Sequence, residues 1–257
     1  MQKAMLVDTS KCTACRACQV ACKQWNQLPA EQTEFKDTYE NPANFSPVTW
    51  TKIVFGKEIP DPENGRVHWP FSKQGCMHCT DAACIKVCPA NAIYRTELGT
   101  VYIDEDRCIG CNYCAANCTY NVIGFDRVAN VARKCTFCFD RITNGEIPAC
   151  VKTCPTGALQ FGDRDEMVAL AKKSLKNLQA AGNEKANIYG LTELDGLGVI
   201  YVLEDGPKTY GLLEDPKIRL STHIWDIIFK PVRVLVVAAA VFALWINRGE
   251  SKKKEGL

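Results

Sequence analysis

The sequence is poor in the residues that enzymes most often use for acid–base work. Histidine occurs three times in 257 residues, at His68, His78 and His223, and no two of these are neighbours in the chain. Isolated imidazoles build neither a catalytic dyad nor a histidine metal site; His78, inside a cysteine motif, reads as a local hydrogen-bonding group. An excess of one charge is missing as well. With 31 basic and 29 acidic side chains the formal net charge is +2, so net charge gives no case for nucleic-acid binding. The sequence has no Gly-rich dinucleotide fingerprint after a strand and no Cys-x3-Cys-x2-Cys of radical SAM chemistry. Residues 1–7 show neither a long apolar run nor a cleavage-site pattern, so no secretory signal is expected; export would need a partner carrying its own. Even the apolar run 234–246 is short: at about 1.5 Å per residue it spans roughly 20 Å of the ~30 Å hydrocarbon core.

Cysteine is what the chain has in abundance, and all 16 fall into four quartets. These are Cys12-x2-Cys15-x2-Cys18-x3-Cys22, Cys76-x2-Cys79-x4-Cys84-x3-Cys88, Cys108-x2-Cys111-x2-Cys114-x3-Cys118, and Cys135-x2-Cys138-x11-Cys150-x3-Cys154. Disulfide scaffolds also use even numbers of cysteine, but they are usually shorter and do not repeat Cys-x2-Cys-x2-Cys. Structural zinc is the stronger rival. Zinc ribbons use two separated pairs, however, whereas three of these quartets crowd three cysteines onto one short loop. The spacing matches the ligand pattern of 4Fe-4S clusters in two-cluster bacterial ferredoxins, in which the fourth cysteine of each run ligates the other cluster. Four such clusters are expected, and none of the four quartets lacks a cysteine.

Only nineteen residues separate Cys88 from Cys108, as in a single ferredoxin, so the two central quartets should exchange their last cysteines. One set is then Cys76, Cys79, Cys84 and Cys118, and the next is Cys108, Cys111, Cys114 and Cys88. The outer quartets pair by elimination, giving Cys12, Cys15, Cys18 and Cys154, and Cys135, Cys138, Cys150 and Cys22.

The expected fold is α+β: duplicated two-cluster ferredoxin-like units with an inserted segment, followed by a C-terminal transmembrane helix. A four-cluster domain covers 1–162, with the insertion at 23–75 and a central ferredoxin unit at 76–126. The exits repeat as Cys88-Pro89-Ala90-Asn91, Cys118-Thr119-Tyr120-Asn121 and Cys154-Pro155-Thr156-Gly157, the mark of internal duplication. Strands are expected at 3–8, 92–94, 101–103 and 198–203. The aromatics of the insertion, among them Trp25, Phe35, Tyr39, Trp50 and Trp69, are expected to pack over the clusters, with a partner interface as the alternative. A helix is expected over 163–181, capped by Asp163 with Glu166 at the capping-box position and with Met167, Leu170, Ala171, Leu175 and Leu178 on its apolar face. A polar linker, 204–216, completes the extension 163–222. For 223–248 a membrane anchor is expected, with Lys230 and Arg233 at one end and Trp245 at the other, before the basic tail 249–257. By length alone the run also suits an internal or interfacial helix.

The stretches CRACQVACKQWN (15–26) and KCTFCFDRITNGEIPACVKTCPTGALQFG (134–162), with the terminal apolar run, resemble the iron-sulfur beta subunit of membrane-bound formate dehydrogenase. The likeness covers nearly the whole chain. It implies an electron-transfer subunit with no catalytic residue of its own. It also implies a catalytic alpha partner holding Mo or W on a bis-pterin cofactor, and a membrane cytochrome b that reduces quinone. The hydrophilic domain would face the outer, periplasmic side, with the C-terminus cytoplasmic. The cysteine spacing alone is shared with subunits that serve thiosulfate, polysulfide, dimethyl sulfoxide and nitrate enzymes, so the same relay with another substrate, or a free-standing polyferredoxin, is an alternative.

Overall fold

The run Lys3–Asp8 is apolar at every position from Ala4 to Val7, and a strand with both faces covered needs such a run. In the computed structural model, which describes residues 2–35, 38–60, 65 and 67–229, it is a central strand of a four-stranded sheet. Strand Leu159–Asp163 pairs with it antiparallel on one side and strand Val199–Leu203 parallel on the other; Asn187–Tyr189 closes the far edge antiparallel to Val199–Leu203. Alternation divides the side chains between the two faces. Ala4, Leu6, Ile200 and Val202 pack under Met167 and Ala171 of the helix Arg164–Ala180. Met5, Val7, Val199, Tyr201 and Leu203 face the other way, into a core that contains Cys18, Cys22, Cys76, Cys135 and Cys150. Each such buried aliphatic side chain contributes about 1.5–3 kcal/mol relative to exposure. One side of the sheet is thus an ordinary helix–sheet core and the other is the floor of the cysteine-rich region.

Among the described residues there are also four two-stranded ribbons: Thr51–Phe55 with Phe71–Gly75, Ile59–Pro60 with Val67–His68, Ile93–Arg95 with Val101–Ile103, and Gly124–Asp126 with Val131–Arg133. The ribbon expected at 92–94 and 101–103 is present, its first strand shifted by one residue to Ile93–Arg95 and its second in place, with Gly99 at φ +83° in the turn. The insertion lies directly on the central unit. A β-carbon at Gly124 would stand 2.0 Å from Pro47 N and 2.1 Å from Ser46 C, so only glycine admits that approach.

Several local expectations are revised. The helix spans Arg164–Ala180, and Asp163 stands at its cap position, but its carboxylate accepts from Lys3 Nζ at 2.8 Å and caps no helix N–H. Leu170 points to solvent; Ser174 turns inward instead and donates to Asp8 Oδ2 at 2.7 Å. The helix ends with Gly182 at φ +94°, donating to Gln179 O while Asn183 donates to Leu178 O, the bond pair of a Schellman motif. The stretch read as a polar linker is partly core: Tyr210 and Leu212 are buried, and Gln74 Nε2 donates to Tyr210 O at 2.7 Å. Of the insertion's aromatics, Trp50 is buried and Phe45, Phe55 and Phe71 pack on the core. Trp25, Phe35 and Tyr39 remain exposed.

The chain divides into two units, Met1–Lys217 and Ile218–Leu257. Within the second, a short helix, Leu220–Ile224, continues into a π-helical turn, Trp225–Phe229. Most of the expected anchor 223–248 and the basic tail fall outside the described residues. Among the described residues no helix is long and apolar enough to cross a membrane.

Candidate metal centres

The cysteine loops share one backbone feature. The residue just before the second cysteine of each quartet has positive φ: Ala14 (53°), His78 (48°), Gly110 (70°) and Phe137 (63°). Only Gly110 enters that region without steric cost; the other three hold it against their β-carbons, which costs of order 1–3 kcal/mol each and marks functional loops. A turn of this kind curls successive N–H groups toward one side, a nest that favours an anionic group such as an iron-sulfur centre. The exit repeats have the same explanation. Asn91 (50°), Asn121 (53°) and Gly157 (67°) take positive φ three residues after Cys88, Cys118 and Cys154, the positions where asparagine and glycine are best tolerated.

The thiols of different quartets come together. One cavity is lined by Cys76, Cys79, Cys84 and Cys118; a second by Cys12, Cys15, Cys18 and Cys154; a third by Cys88, Cys108, Cys111 and Cys114. Three cavities, each with four thiols on its wall, suit one kind of occupant. The fourth grouping shows in the electrostatics. Burial raises the Cys138 thiol, and Cys135, Cys150 and Cys22 raise it further. Burial likewise pushes Cys22 up to about 12, with Cys135 and Cys150 adding to the shift.

The other sets behave alike. Burial raises Cys12, and Cys154 and Cys15 add to it. Cys79 is held well above the usual thiol range by burial, then by Cys76, Cys84 and Cys118. Cys114 is pushed up to about 12 by burial, with Cys108, Cys111 and Cys88 contributing. Thiols this crowded cannot all ionise unless a cation joins them, and iron is that cation in a cubane. Among the described residues no group of three His, Cys, Asp or Glu side chains is close enough to hold a single metal ion.

His78 also bears on the occupant. It is buried, and its Nδ1 accepts from Val101 N at 3.0 Å, which places the ring proton on Nε2. That Nε2 has no hydrogen-bond partner among the described residues, although the ring lines the cavity of Cys76, Cys79, Cys84 and Cys118. Burial, then Lys134, Lys73 and Arg95, hold the imidazole well below its usual range, so it is a neutral donor. A sulfur-rich group in the cavity would give it an acceptor, and the bond from Val101 N is local hydrogen bonding of the kind expected. The residues present therefore fit 4Fe-4S clusters.

The sets also adjoin one another. Burial raises Cys18, Cys135 and Cys84, and a thiol of the neighbouring set adds to each: Cys150 to Cys18, Cys76 to Cys135 and Cys114 to Cys84. The run of sets is thus Cys12/15/18/154, Cys22/135/138/150, Cys76/79/84/118, Cys88/108/111/114.

Comparison with known proteins agrees with this chemistry. Residues 67–164 match a 4Fe-4S dicluster domain. The chain is 43% identical to the iron-sulfur subunit of nitrate-inducible formate dehydrogenase of Escherichia coli, over 97% of this chain and 86% of that one. It is 40% identical to the formate dehydrogenase iron-sulfur subunit of Haemophilus influenzae, over 93% and 78%. It is 36% identical to a thiosulfate reductase electron transfer subunit of Salmonella typhi, over 75% and 94%.

Proposed function

The chain belongs to the family of formate dehydrogenase iron-sulfur subunits, and on that premise we propose that it is the electron-conducting subunit of a formate-oxidising complex, carrying four 4Fe-4S clusters. When bound, each cluster accepts and returns one electron, at a potential set by its charge, hydrogen bonds and exposure. The protein's part is to hold and insulate. Sixteen thiolates ligate in the four crossed sets; the curled loops turn N–H groups toward them; and the sheet face of Met5, Val7, Val199 and Tyr201 keeps water from the inner sets. No residue of this chain is assigned to formate: the catalytic work belongs to an alpha subunit with Mo or W on a bis-pterin cofactor. The observation that carries the reading is the run of four neighbouring thiol sets, a path with two ends.

A membrane cytochrome b is the partner assigned to the delivery end. The sequence supports this through the apolar run 234–246 and the basic residues Lys252, Lys253 and Lys254 beyond it, which suit a single anchor with a cytoplasmic C-terminus and the hydrophilic part outside. The likeness to a thiosulfate reductase subunit favours one second reading, the same relay beside a different catalytic subunit.

The test is anaerobic purification through a tag on this chain in mild detergent, with iron and Mo or W quantified and the cluster absorbance followed on adding formate. Bleaching by formate with a large subunit present is expected. Bleaching by dithionite but not by formate, in a preparation that retains the large subunit, transfers the relay to the second reading.

A further inference from the structure

Two lysines are enclosed where the thiol sets meet. Lys73, on strand Phe71–Gly75, is 1% exposed, and Lys134, next to Cys135, is 2% exposed. Neither has a carboxylate within ion-pair distance among the described residues. An ammonium buried in this way is costly unless an anion stands beside it. The neighbours in question are thiols. Lys73 lines the cavity of Cys12, Cys15, Cys18 and Cys154, and Lys134 lines that of Cys76, Cys79, Cys84 and Cys118. Each also reaches the set between them. Lys73 lies within electrostatic reach of Cys22, Cys135 and Cys150, and Lys134 within reach of Cys135, whose carbonyl accepts from Lys134 Nζ at 3.0 Å.

Among the described residues the last set has no such charge on its cavity wall. Its cavity is walled by Ala92, Ile93, Ile103 and Ala132 and lined by no basic side chain.

We propose that Lys73 and Lys134 are positioning residues for potential: each is a buried ammonium shared by two successive thiol sets, and each raises the reduction potential of the clusters those sets hold. The inference rests on the four-cluster reading above. Reduction adds one negative charge to a cluster, and a fixed positive charge nearby stabilises that form by direct attraction in a medium of low dielectric. With a lysine at each of the first two junctions, electrons meet no isolated low-potential station before the third set. The step down in potential falls at the last.

The experiment is an EPR-monitored redox titration of the anaerobically purified complex, native and variant, with couples assigned by ligand substitutions such as Cys12→Ser and Cys111→Ser. Lys73→Gln should lower the reduced-to-oxidised ratio of the first two sets at least tenfold at fixed potential, about 59 mV for a one-electron couple. Lys73→Arg should restore the native values, and the couple of Cys88/108/111/114 should not move. The proposal is overturned if no couple falls in Lys73→Gln, or if Lys73→Arg shifts the couples as far as the glutamine does. Should Lys73→Gln lose iron, Lys134→Gln decides by the same readout on the second and third sets. Native protein that binds no iron and shows no cluster signal overturns the four-cluster reading itself. Native signals that ignore both lysines overturn only this inference.

Discussion

The first and last thiol sets use the same four ligands in nearly opposite surroundings. The set of Cys12, Cys15, Cys18 and Cys154 abuts the four-stranded sheet, with Val7, Leu159 and the buried Lys73 on its wall. The set of Cys88, Cys108, Cys111 and Cys114 belongs to the compact central unit; small and branched apolar side chains line it, and Ile109 and Asn112 at its mouth are exposed. Ligand identity therefore does not distinguish the two sites. Their difference lies in charge and burial, the quantities that tune a one-electron couple.

The most drastic way to break this comparison is to remove a crossed ligand from each half. Cys22→Ser should abolish or convert the cluster of Cys135, Cys138 and Cys150, and Cys88→Ser that of Cys108, Cys111 and Cys114, as read by iron content and EPR. If Cys22→Ser instead disturbs the cluster of Cys12, Cys15 and Cys18, the pairing is wrong. Gly124→Ala comes next. Its β-carbon would meet the backbone of Ser46 and Pro47, so a loss of about 1–3 kcal/mol or more is expected in denaturant unfolding.

A charge can also be added where none exists. Ile109→Lys, on the wall of the last cavity but 61% exposed, should raise that couple by less than Lys73→Gln lowers the first, because solvent screens it. Raising ionic strength should erase much of the Ile109→Lys shift and leave the Lys73→Gln shift in place.

Ser174→Ala tests the far face of the sheet, away from the clusters. Asp8 is buried; burial raises its carboxyl, and hydrogen bonds from Lys11, Ser10 and Ser174 outweigh that and lower it overall. A carboxyl with a depressed folded pKa stabilises above its unfolded pKa, and that stability is lost as pH falls through the folded value. Ser174→Ala should therefore cost about 1.5–3 kcal/mol at neutral pH, and the difference from native should shrink in acid. Cluster potentials should not change. The smallest effect is expected at Val128, 99% exposed, where Val128→Lys should stay within about 0.5 kcal/mol in the same unfolding assay.

The cysteine quartets were legible because cubane ligation favours a fixed spacing, and the repeats after Cys88, Cys118 and Cys154 were legible because the loop exit demands positive φ at Asn91, Asn121 and Gly157. The strands Lys3–Asp8 and Val199–Leu203 stood out as apolar runs, but their parallel pairing did not, since adjacency between residues nearly two hundred apart leaves no local mark. The burial of Tyr210 was hidden by its polar neighbours. Asp163 was misassigned as a cap because Lys3, 160 residues away, competes for its carboxylate.

Lys73 is the clearest case of what the sequence left open. In the string Phe71-Ser72-Lys73-Gln74-Gly75 it looks like a solvent-facing strand residue, the usual fate of lysine. The four cysteine quartets, their 4Fe-4S character and the repeated loop exits can be read from the chain alone, because metal ligation and left-handed backbone each accept few residue types. The tertiary structure alone decided which thiol sets adjoin and where the two lysines are enclosed. Electrostatic tuning depends on distance and burial, and neither is written in the spacing of residues along a chain.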